Sequence, residues 1–240
     1  MPTRNNYFLM KINLFILKQK QKFIEEARNH EDRVVIKFLN TLDKNKDWNY
    51  LEVGSGLGRF PLKIRDMLKN INIECLEINP DLSEITKAQG LKTTVGDVVL
   101  PHYSEGIFDV IHCSHVIEHF KYPEITELLE QLMRVTKKYG YIIIRSPLWH
   151  SDFYLDIDHV RPYPPETILN YFDNKQQQKV GKGGLRVVSC WYRRENYKIY
   201  NIGPSKIKYF SNALLTLLWT YFRFPFSKKN GYVLILQKII

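Results

Sequence analysis

The sequence predicts a doubly wound α/β fold, in which one mostly parallel sheet of seven strands carries helices on both faces. From Trp48 onward, short apolar runs alternate with helix-length segments, which is the pattern of strand-helix-strand units. A glycine-rich loop from Gly54 to Gly58 follows the first apolar run, as at a tight strand-to-helix turn. With 240 residues and 44% hydrophobic composition, the chain can bury one sizeable core. We therefore expect a single domain over residues 1–240.

The individual elements follow from this alternation. The predicted strands are Tyr50–Val53, Ile73–Glu77, Lys92–Val95, Phe108–Cys113, Tyr141–Arg145, Leu185–Tyr192 and Tyr232–Gln237. The predicted helices are Gly58–Leu68, Pro80–Ala88 and Pro123–Lys137, and a further helix begins near Pro165. Pro80 and Pro123 stand at helix starts, because the first helical turn tolerates a residue without an N–H. Gly140 follows the lysine-rich end of the third helix, where glycine commonly ends helices.

Two regions flank the segment 48–150. Residues 1–47 have apolar positions at helical spacing, which predicts two helices over residues 7–42. Residues 151–240 include an insertion at about 196–230, before the last strand, with an apolar helix predicted from Ile207 to Phe222. Its interleaved lysine and aromatic residues suit a substrate cap, a membrane-surface helix, a site for single-stranded nucleic acid, or a helix packed on the sheet.

Net charge and cysteine content bear on the partners and the cellular compartment of the protein. The net charge of +10 favours anionic partners such as nucleic acid, phosphorylated sugars or an acidic membrane face, and it equally suits a solvated basic surface. Cys75, Cys113 and Cys190 lie at scattered positions in predicted strands, which fits neither a disulfide framework nor a CxxC metal site. We expect buried thiols in a reducing cytosol. No secretion signal or membrane-spanning segment is predicted, so we expect a cytoplasmic protein, with peripheral membrane contact as the alternative.

The glycine loop is the sharpest functional signal. It reads Leu51-Glu52-Val53-Gly54-Ser55-Gly56-Leu57-Gly58, and glycines at alternate positions let the backbone turn tightly and approach a ligand. A dinucleotide fingerprint would need glycine at the position of Arg59. The loop instead resembles the E-x-G-x-G-x-G motif of class I methyltransferases. That resemblance implies a Rossmann-like fold, S-adenosylmethionine (SAM) under the loop, and Glu52 close to the amino group of the cofactor.

Three further segments continue this resemblance in the expected order. Glu77 ends the second predicted strand, where it would accept hydrogen bonds from ribose hydroxyls, and Gly96-Asp97-Val98 would lie beside the adenine. The segment from Phe108 to Phe120, with its Glu118-His119 pair, is similar to methyltransferases of the ubiquinone-biosynthesis O-methyltransferase-like group. Residues 48–150 are thus the expected cofactor-binding core. The implied cofactor-binding residues are Glu52, Gly54, Ser55, Gly56, Gly58, Glu77, Ile78, Asp97, Val98 and Ser114.

Candidate catalytic residues lie at the predicted carboxyl ends of strands, where open α/β sheets bind ligands. Methyl transfer from a sulfonium is an in-line displacement, so the protein must position both molecules and remove a proton from an oxygen or nitrogen acceptor. His159 is the predicted general base, because the segment Asp158 to Tyr163 resembles a substrate-side loop of the ubiquinone-related group. His115 and His119 are the other candidates, and Asp156 and Asp158 lie in the same loop as His159.

The same histidines raise the question of a metal. His115, Glu118 and His119 are spaced i, i+3, i+4 and would share one face of a helical turn, and with His159 they offer four ligands. Small-RNA 2′-O-methyltransferases are similar here, since they hold a metal with an E-x-x-E-H segment and a later histidine. This chain has a histidine at the first of those positions. The simpler interpretation, which we favour, is that His119 orders the cofactor pocket and His115 touches the substrate.

The sequence therefore predicts a metal-independent methyltransferase acting on oxygen or nitrogen of a small, lipid-linked or glycan-linked acceptor. A metal-assisted RNA 2′-O-methyltransferase is the first alternative, and it would need converging ligands and a basic channel. A cofactor-binding module without catalysis is the second. A nicotinamide enzyme is disfavoured by Arg59 and by the Gly96-Asp97 pair.

Overall fold

The computed structural model describes residues 29–98, 103–150, 152–173, 183–194 and 228–240. Isolated positions described outside these ranges are all helical: Leu14, Lys18, Ser211, Leu214, Leu215, Leu218 and Phe222. The first predicted N-terminal helix and almost all of the predicted insertion thus lie outside the described residues. The second N-terminal helix is present as α1, residues 29–39.

The chain divides into two compact units. One comprises Met1–Arg33 and Arg193–Asn230, and the other comprises Val34–Tyr192 and Gly231–Ile240. In the first unit, the Arg193 guanidinium donates to Asn230 Oδ1 at 3.0 Å and lies 3.3 Å from the Glu31 carboxylate. The second unit carries the central strands and all the candidate site residues, and the prediction of a single domain stays a prediction.

Seven strands form one sheet. In chain order after α1, the elements are β1 Trp48–Val53, α2 Arg59–Met67, β2 Ile71–Glu77, α3 Pro80–Ala88, β3 Lys92–Val95, β4 Phe108–Ser114, α4 Glu124–Val135, β5 Thr136–Pro147, α5 Pro165–Phe172, β6 Leu185–Arg194 and β7 Lys229–Lys238. The sheet order is β3-β2-β1-β4-β5-β7-β6. Strands β1 to β5 pair in parallel, and β7 runs antiparallel to β5. The predicted fold class is confirmed.

Helices cover both faces of this sheet. On one face, Leu128 and Leu132 of α4 and Ile168 of α5 join the core with apolar residues of β4, β5 and β7. On the other, Val35 of α1 and Ile64 of α2 join a second core cluster. The central strands are therefore buried on both sides, which explains why their sequences are almost continuously apolar.

Several predicted boundaries are shifted, and the largest shift is at the junction of the third predicted helix and the fifth strand. Helix α4 ends at Val135 rather than Lys137, and β5 begins directly at Thr136, whose backbone is extended. Lys137 points to β4, where its Nζ donates to Asp109 Oδ2 at 2.7 Å. Gly140 lies inside β5. Glycine suits this position because a Cβ there would come within 2.9 Å of the Asp109 carbonyl oxygen. Lys137 and Lys138, which resembled a helix end, are thus strand residues, and Lys137 contacts a carboxylate distant in sequence.

The strand order identifies where a ligand would bind. From β1 the chain adds β2 and then β3 on one side, and it returns to place β4 on the other side of β1. This reversal leaves a crevice beyond the carboxyl ends of β1 and β4, the position at which doubly wound sheets bind ligands. The glycine loop follows β1, and the segment from His115 to His119 follows β4.

The cysteines and helices test two further expectations. Cys75 in β2 and Cys113 in β4 are buried, and burial raises the pKa of the Cys75 thiol to about 12. Cys190 is exposed, so the expectation of a buried thiol is wrong there; β6 is the edge strand of the sheet and is covered less than the centre. Among the helices of the described residues, none has the length and apolarity needed to cross a membrane.

Candidate cofactor and acceptor site

The loop after β1 brings bare backbone to the crevice. Gly54, Gly56 and Gly58 have φ angles of 71°, 53° and 76°, a left-handed conformation that side chains with a Cβ rarely adopt. A Cβ on Gly54 would lie 2.5 Å from Val116 Cγ2, so this glycine lets the loop pack on the segment after β4. A Cβ on Gly56 would meet no atom within 4 Å. Gly56 therefore borders open space in which a ligand can approach the chain.

Glu77 links this loop to the end of β2. The buried Glu77 carboxylate accepts the Gly56 N–H at 2.7 Å and the Asn79 N–H at 3.0 Å, one on each oxygen. A carboxylate can accept about four hydrogen bonds, so capacity remains for ligand hydroxyls. The next residue, Ile78, is 65% exposed and offers an apolar surface at the same edge. Ser55, between two of the loop glycines, is buried.

The remaining predicted cofactor residues lie at neighbouring strand ends. The Gly96 N–H donates to the Glu77 carbonyl oxygen at 3.0 Å, which fixes the turn after β3 against the end of β2. Asp97 and Val98 follow it and are half-buried. Ser114, the last residue of β4, is also half-buried. The carboxyl ends of four adjacent strands thus bring the predicted residues to one edge of the sheet.

Glu52 lies deeper than the rest. It is 2% exposed, and its carboxylate accepts the Tyr50 hydroxyl at 2.5 Å. The Nδ1 atom of His112 lies 2.8 Å from Oε2 and 3.0 Å from Oε1 of the same carboxylate. Since a carboxylate accepts, His112 donates through Nδ1–H.

A short 3₁₀ turn, Ile117–His119, follows β4. His115, two residues before this turn, has a φ of 56°, and its N–H donates to the Arg145 carbonyl oxygen at 2.9 Å. This conformation places His115 Nδ1 3.2 Å from Glu118 Oε1. Glu118 is fully buried and accepts the Ser146 hydroxyl on Oε2 at 3.1 Å.

The loop after β5 docks on this turn. The N–H groups of Val160 and Arg161 donate to the Glu118 carbonyl oxygen at 2.9 and 3.2 Å. His159 Nδ1 lies 2.8 Å from the Phe153 carbonyl oxygen, and His119 Nδ1 lies 3.0 Å from that of Asp158. Because carbonyls only accept, both Nδ1 atoms carry hydrogen, and in the tautomer this selects the lone pair of each ring is on Nε2.

Three of the four predicted ligands converge. One potential ligand atom from each of Glu118, His119 and His159 lies within 4.8 Å of the others. His115 is outside this group, because the 3₁₀ turn and its own left-handed backbone replace the single helical face that the i, i+3, i+4 spacing predicted. Asp156 adds a carboxylate oxygen 3.7 Å from His159 Nε2.

The sequence matches a known protein family over most of its length. The sequence model of a family described as a methyltransferase domain matches residues 23–189, more than half of the chain. The chain belongs to this methyltransferase family. The assignment to the SAM-dependent methyltransferase class, made from the glycine loop and the segments after it, is confirmed.

Individual relatives of this methyltransferase support the same class. It is 28% identical over 159 residues to an ajmaline N-methyltransferase of Rauvolfia serpentina, which covers 62% of this chain and 48% of the relative. The chain thus spans about half the length of that relative.

Solved structures share the fold at low sequence identity. A SAM-dependent methyltransferase from Archaeoglobus fulgidus matches with a TM-score of 0.61, 22% identity, and 97% and 99% coverage of the two chains. The [4+2]-cyclase SpnF matches with a TM-score of 0.57 and 14% identity, covering 87% of this chain and 82% of that chain. Such likeness demonstrates the fold alone, since one fold can host several chemistries.

Sequence reasoning missed several residues of the candidate site. Ser146, whose hydroxyl donates to Glu118, directly follows the predicted fifth strand and carries no motif. Tyr50 and His112 were assigned no role, although a histidine inside an otherwise apolar central strand is itself a signal. That signal becomes specific only with the register, which sets His112 directly beside Glu52.

Proposed function

We propose that this chain transfers the methyl group of SAM to an oxygen or nitrogen atom of a small, lipid-linked or glycan-linked acceptor. The observation that carries the proposal is the junction at the crevice, where the Gly56 N–H meets the Glu77 carboxylate at 2.7 Å. It joins a loop without side chains to a buried acid at the point where the strand order reverses. A nucleoside ligand with an amino-acid tail needs both features on adjacent strands.

Each predicted cofactor residue has a role that suits its position. Gly54, Ser55, Gly56 and Gly58 present backbone to the methionine portion, since Gly56 borders open space. Glu77 accepts the ribose hydroxyls with its remaining lone pairs. Ile78 and Val98 would be apolar neighbours of the adenine, and Asp97 would accept a hydrogen bond from its exocyclic amine. Ser114, at the end of β4, would face the methyl-bearing sulfur.

The chain acts mainly by positioning. When bound, SAM supplies a methyl group on a positively charged sulfur, so displacement needs alignment more than activation of the leaving group. His159 is the proposed general base: Phe153 holds its Nδ1–H, and the lone pair on Nε2 can accept the acceptor's proton. His115 and His119 would contact the acceptor on either side, with His119 anchored to the Asp158 carbonyl.

The loop after β5 favours an uncharged or cationic acceptor with an apolar part. Leu155 and Ile157 are 81% and 95% exposed beside His159. Asp156 and Asp158 add negative charge to the same loop, which repels a phosphate backbone. The name of the relative from Rauvolfia also supports a small acceptor with a nitrogen to be methylated. These features speak against RNA as the acceptor.

A metal-assisted version of the same reaction is a second candidate. It is favoured by the 4.8 Å grouping of Glu118, His119 and His159. Both histidines donate Nδ1–H to carbonyls, as metal-binding histidines commonly do to orient the free nitrogen. A divalent ion there would lower the pKa of an acceptor hydroxyl. His159 would then be a ligand rather than the base, and calorimetric Mn²⁺ uptake that is lost in His159→Ala would favour this version.

The test of the proposal is calorimetric titration of the protein with SAM, comparing Gly56→Arg with Gly106→Arg. Both glycines have positive φ, 53° and 62°, and both have open space where a Cβ would lie, so the two variants bear similar backbone strain. Gly106 precedes β4 at the opposite end of the sheet. We expect binding in the wild type and in Gly106→Arg, and its loss in Gly56→Arg.

Either of two results would contradict the proposal. Failure of the wild type to bind SAM would remove the cofactor assignment. Binding in the wild type without methylation of any acceptor in a panel of small amines, phenols and lipid-linked alcohols would instead favour the non-catalytic cofactor-binding module.

A further inference from the structure

A buried hydrogen-bonded group lies directly beneath the glycine loop. Tyr50 and Glu52 share one face of β1, and the parallel register sets Glu52 beside His112 of β4. The carboxylate accepts from the Tyr50 hydroxyl at 2.5 Å and from His112 Nδ1 at 2.8 Å. We refer to Tyr50, Glu52 and His112 as the buried triad.

The triad is sealed from water on this face. Tyr50 and His112 are fully buried, and the ring of Phe60 from α2 lies 4.7 Å from the imidazole of His112. Burial, together with the charge of Glu52, raises the pKa of Tyr50 well above its ordinary value. The hydroxyl therefore stays protonated and remains a donor to the carboxylate at every physiological pH.

Stability alone does not account for His112. Within the described part of the chain, its Nε2 is buried without a hydrogen-bond partner, an arrangement that costs about 1–3 kcal/mol. Its neighbour on the same face of β4, Val110, shows that this face accommodates an aliphatic side chain. An apolar residue would pack here without that cost. The imidazole is explained by the polar contact that it makes among the described residues, to the carboxylate of Glu52.

Glu52 stands two residues before Gly54, at the root of the loop proposed to hold SAM. The methionine end of SAM carries an ammonium group, and a buried carboxylate acts on a nearby cation through a low dielectric. We propose that Tyr50 and His112 are positioning residues for cofactor binding, which hold Glu52 as a fixed negative charge for the ammonium group of SAM. This inference rests on the proposed function.

Two donors serve this task because a carboxylate held by one hydrogen bond could still rotate. Tyr50 and His112 lie on different strands, so together they fix the orientation of Glu52. Fixed charges of this kind cost no reorganisation when the ligand arrives. Loss of His112 should therefore weaken recognition of the amino-acid part of the ligand and leave recognition of the adenosine part intact.

The experiment compares two ligands, SAM and 5′-methylthioadenosine, which shares the adenosine and sulfur but lacks the amino-acid tail. Dissociation constants are measured calorimetrically, by displacement where direct binding is weak, for the wild type, Glu52→Gln, His112→Leu, His112→Asn and Val110→Ala. We expect Glu52→Gln and His112→Leu to weaken SAM at least about 10-fold relative to 5′-methylthioadenosine. His112→Asn should recover most of this loss, because its side-chain amide nitrogen can replace Nδ1–H as donor.

Val110→Ala is the control, since it shortens a side chain on the same face of β4, beside Tyr50, and removes no hydrogen-bond donor to Glu52. It should leave the ratio of the two affinities unchanged. The proposal is overturned if His112→Leu weakens both ligands equally or neither, or if His112→Asn recovers nothing. These results require a wild type that binds SAM; a wild type that does not bind contradicts the proposed function itself.

Discussion

Strand β4 has a buried carboxylate near each end, and the two differ in their partners. At the end of β4 away from the crevice, Asp109 contacts Lys46 Nζ at 2.6 Å and Lys137 Nζ at 2.7 Å, and accepts the Asn49 N–H at 3.0 Å. Beyond the crevice end, Glu118 contacts His115 Nδ1 at 3.2 Å and the Ser146 hydroxyl at 3.1 Å.

The same chemical group thus has two different surroundings in one strand region of the fold. Burial acts to raise the pKa of Asp109, but the hydrogen bonds from Lys137, Lys46 and the Asn49 N–H outweigh it, so the pKa lies below its ordinary value. Its charge is matched by permanent cations and joins β1, β4 and β5. Glu118 contacts an imidazole and a hydroxyl group instead, and its carboxylate oxygens keep acceptor capacity for a ligand.

The largest expected effect is on catalysis. Glu118→Gln keeps the side-chain shape and replaces the carboxylate that lies 3.2 Å from His115, a residue proposed to contact the acceptor. We expect methyl transfer to fall by about 100-fold, the upper range for losing a hydrogen bond to a charged group. The measurement is kcat/KM with any acceptor found in the panel. Asp109→Asn is the control and should leave this rate within about twofold. Equal losses in both variants would contradict the division of roles.

The next effect is on stability. Asp109→Asn should lower the free energy of unfolding by about 2 kcal/mol, because two lysines lose a buried, hydrogen-bonded carboxylate. Urea unfolding at neutral pH measures it, with Glu118→Gln as the comparison. We expect a smaller loss in Glu118→Gln, because in the part of the chain that the structure describes no lysine contacts Glu118. A larger loss there than in Asp109→Asn would reverse our interpretation of the two sites.

The smallest effect is a change with pH. Because the folded pKa of Asp109 is lowered, its contribution to stability is complete above the ordinary aspartate pKa of about 3.9 and is lost as pH falls through the folded value. The difference in unfolding free energy between wild type and Asp109→Asn should therefore be constant from pH 7 to about 5 and shrink in more acidic solution. A difference that grows with acid would show that the pKa is raised.

Much of the fold was predictable because the signals are local. Apolar runs alternating with amphipathic segments located the seven strands of the sheet, and Pro80 marks the first residue of α3 as predicted. The glycine loop was predictable for the same reason, since the ability to adopt the positive φ seen at Gly54, Gly56 and Gly58 is a property of glycine itself. The end of α4 was not predictable, because Lys137 forms its hydrogen bond with Asp109 on another strand.

The candidate site divides in the same way. The order of residues along the chain shows which residue types stand at strand ends, and so it located Glu77, Asp97 and the histidines. Tertiary contacts are what bring His119 and His159 together with Glu118, and they leave His115 outside that group although it contacts Glu118 at 3.2 Å. It also decided that Glu52 lies beside His112. Spacing along a chain specifies neighbours within one element, whereas contacts between elements depend on strand order, register and loop docking, which the whole core sets together.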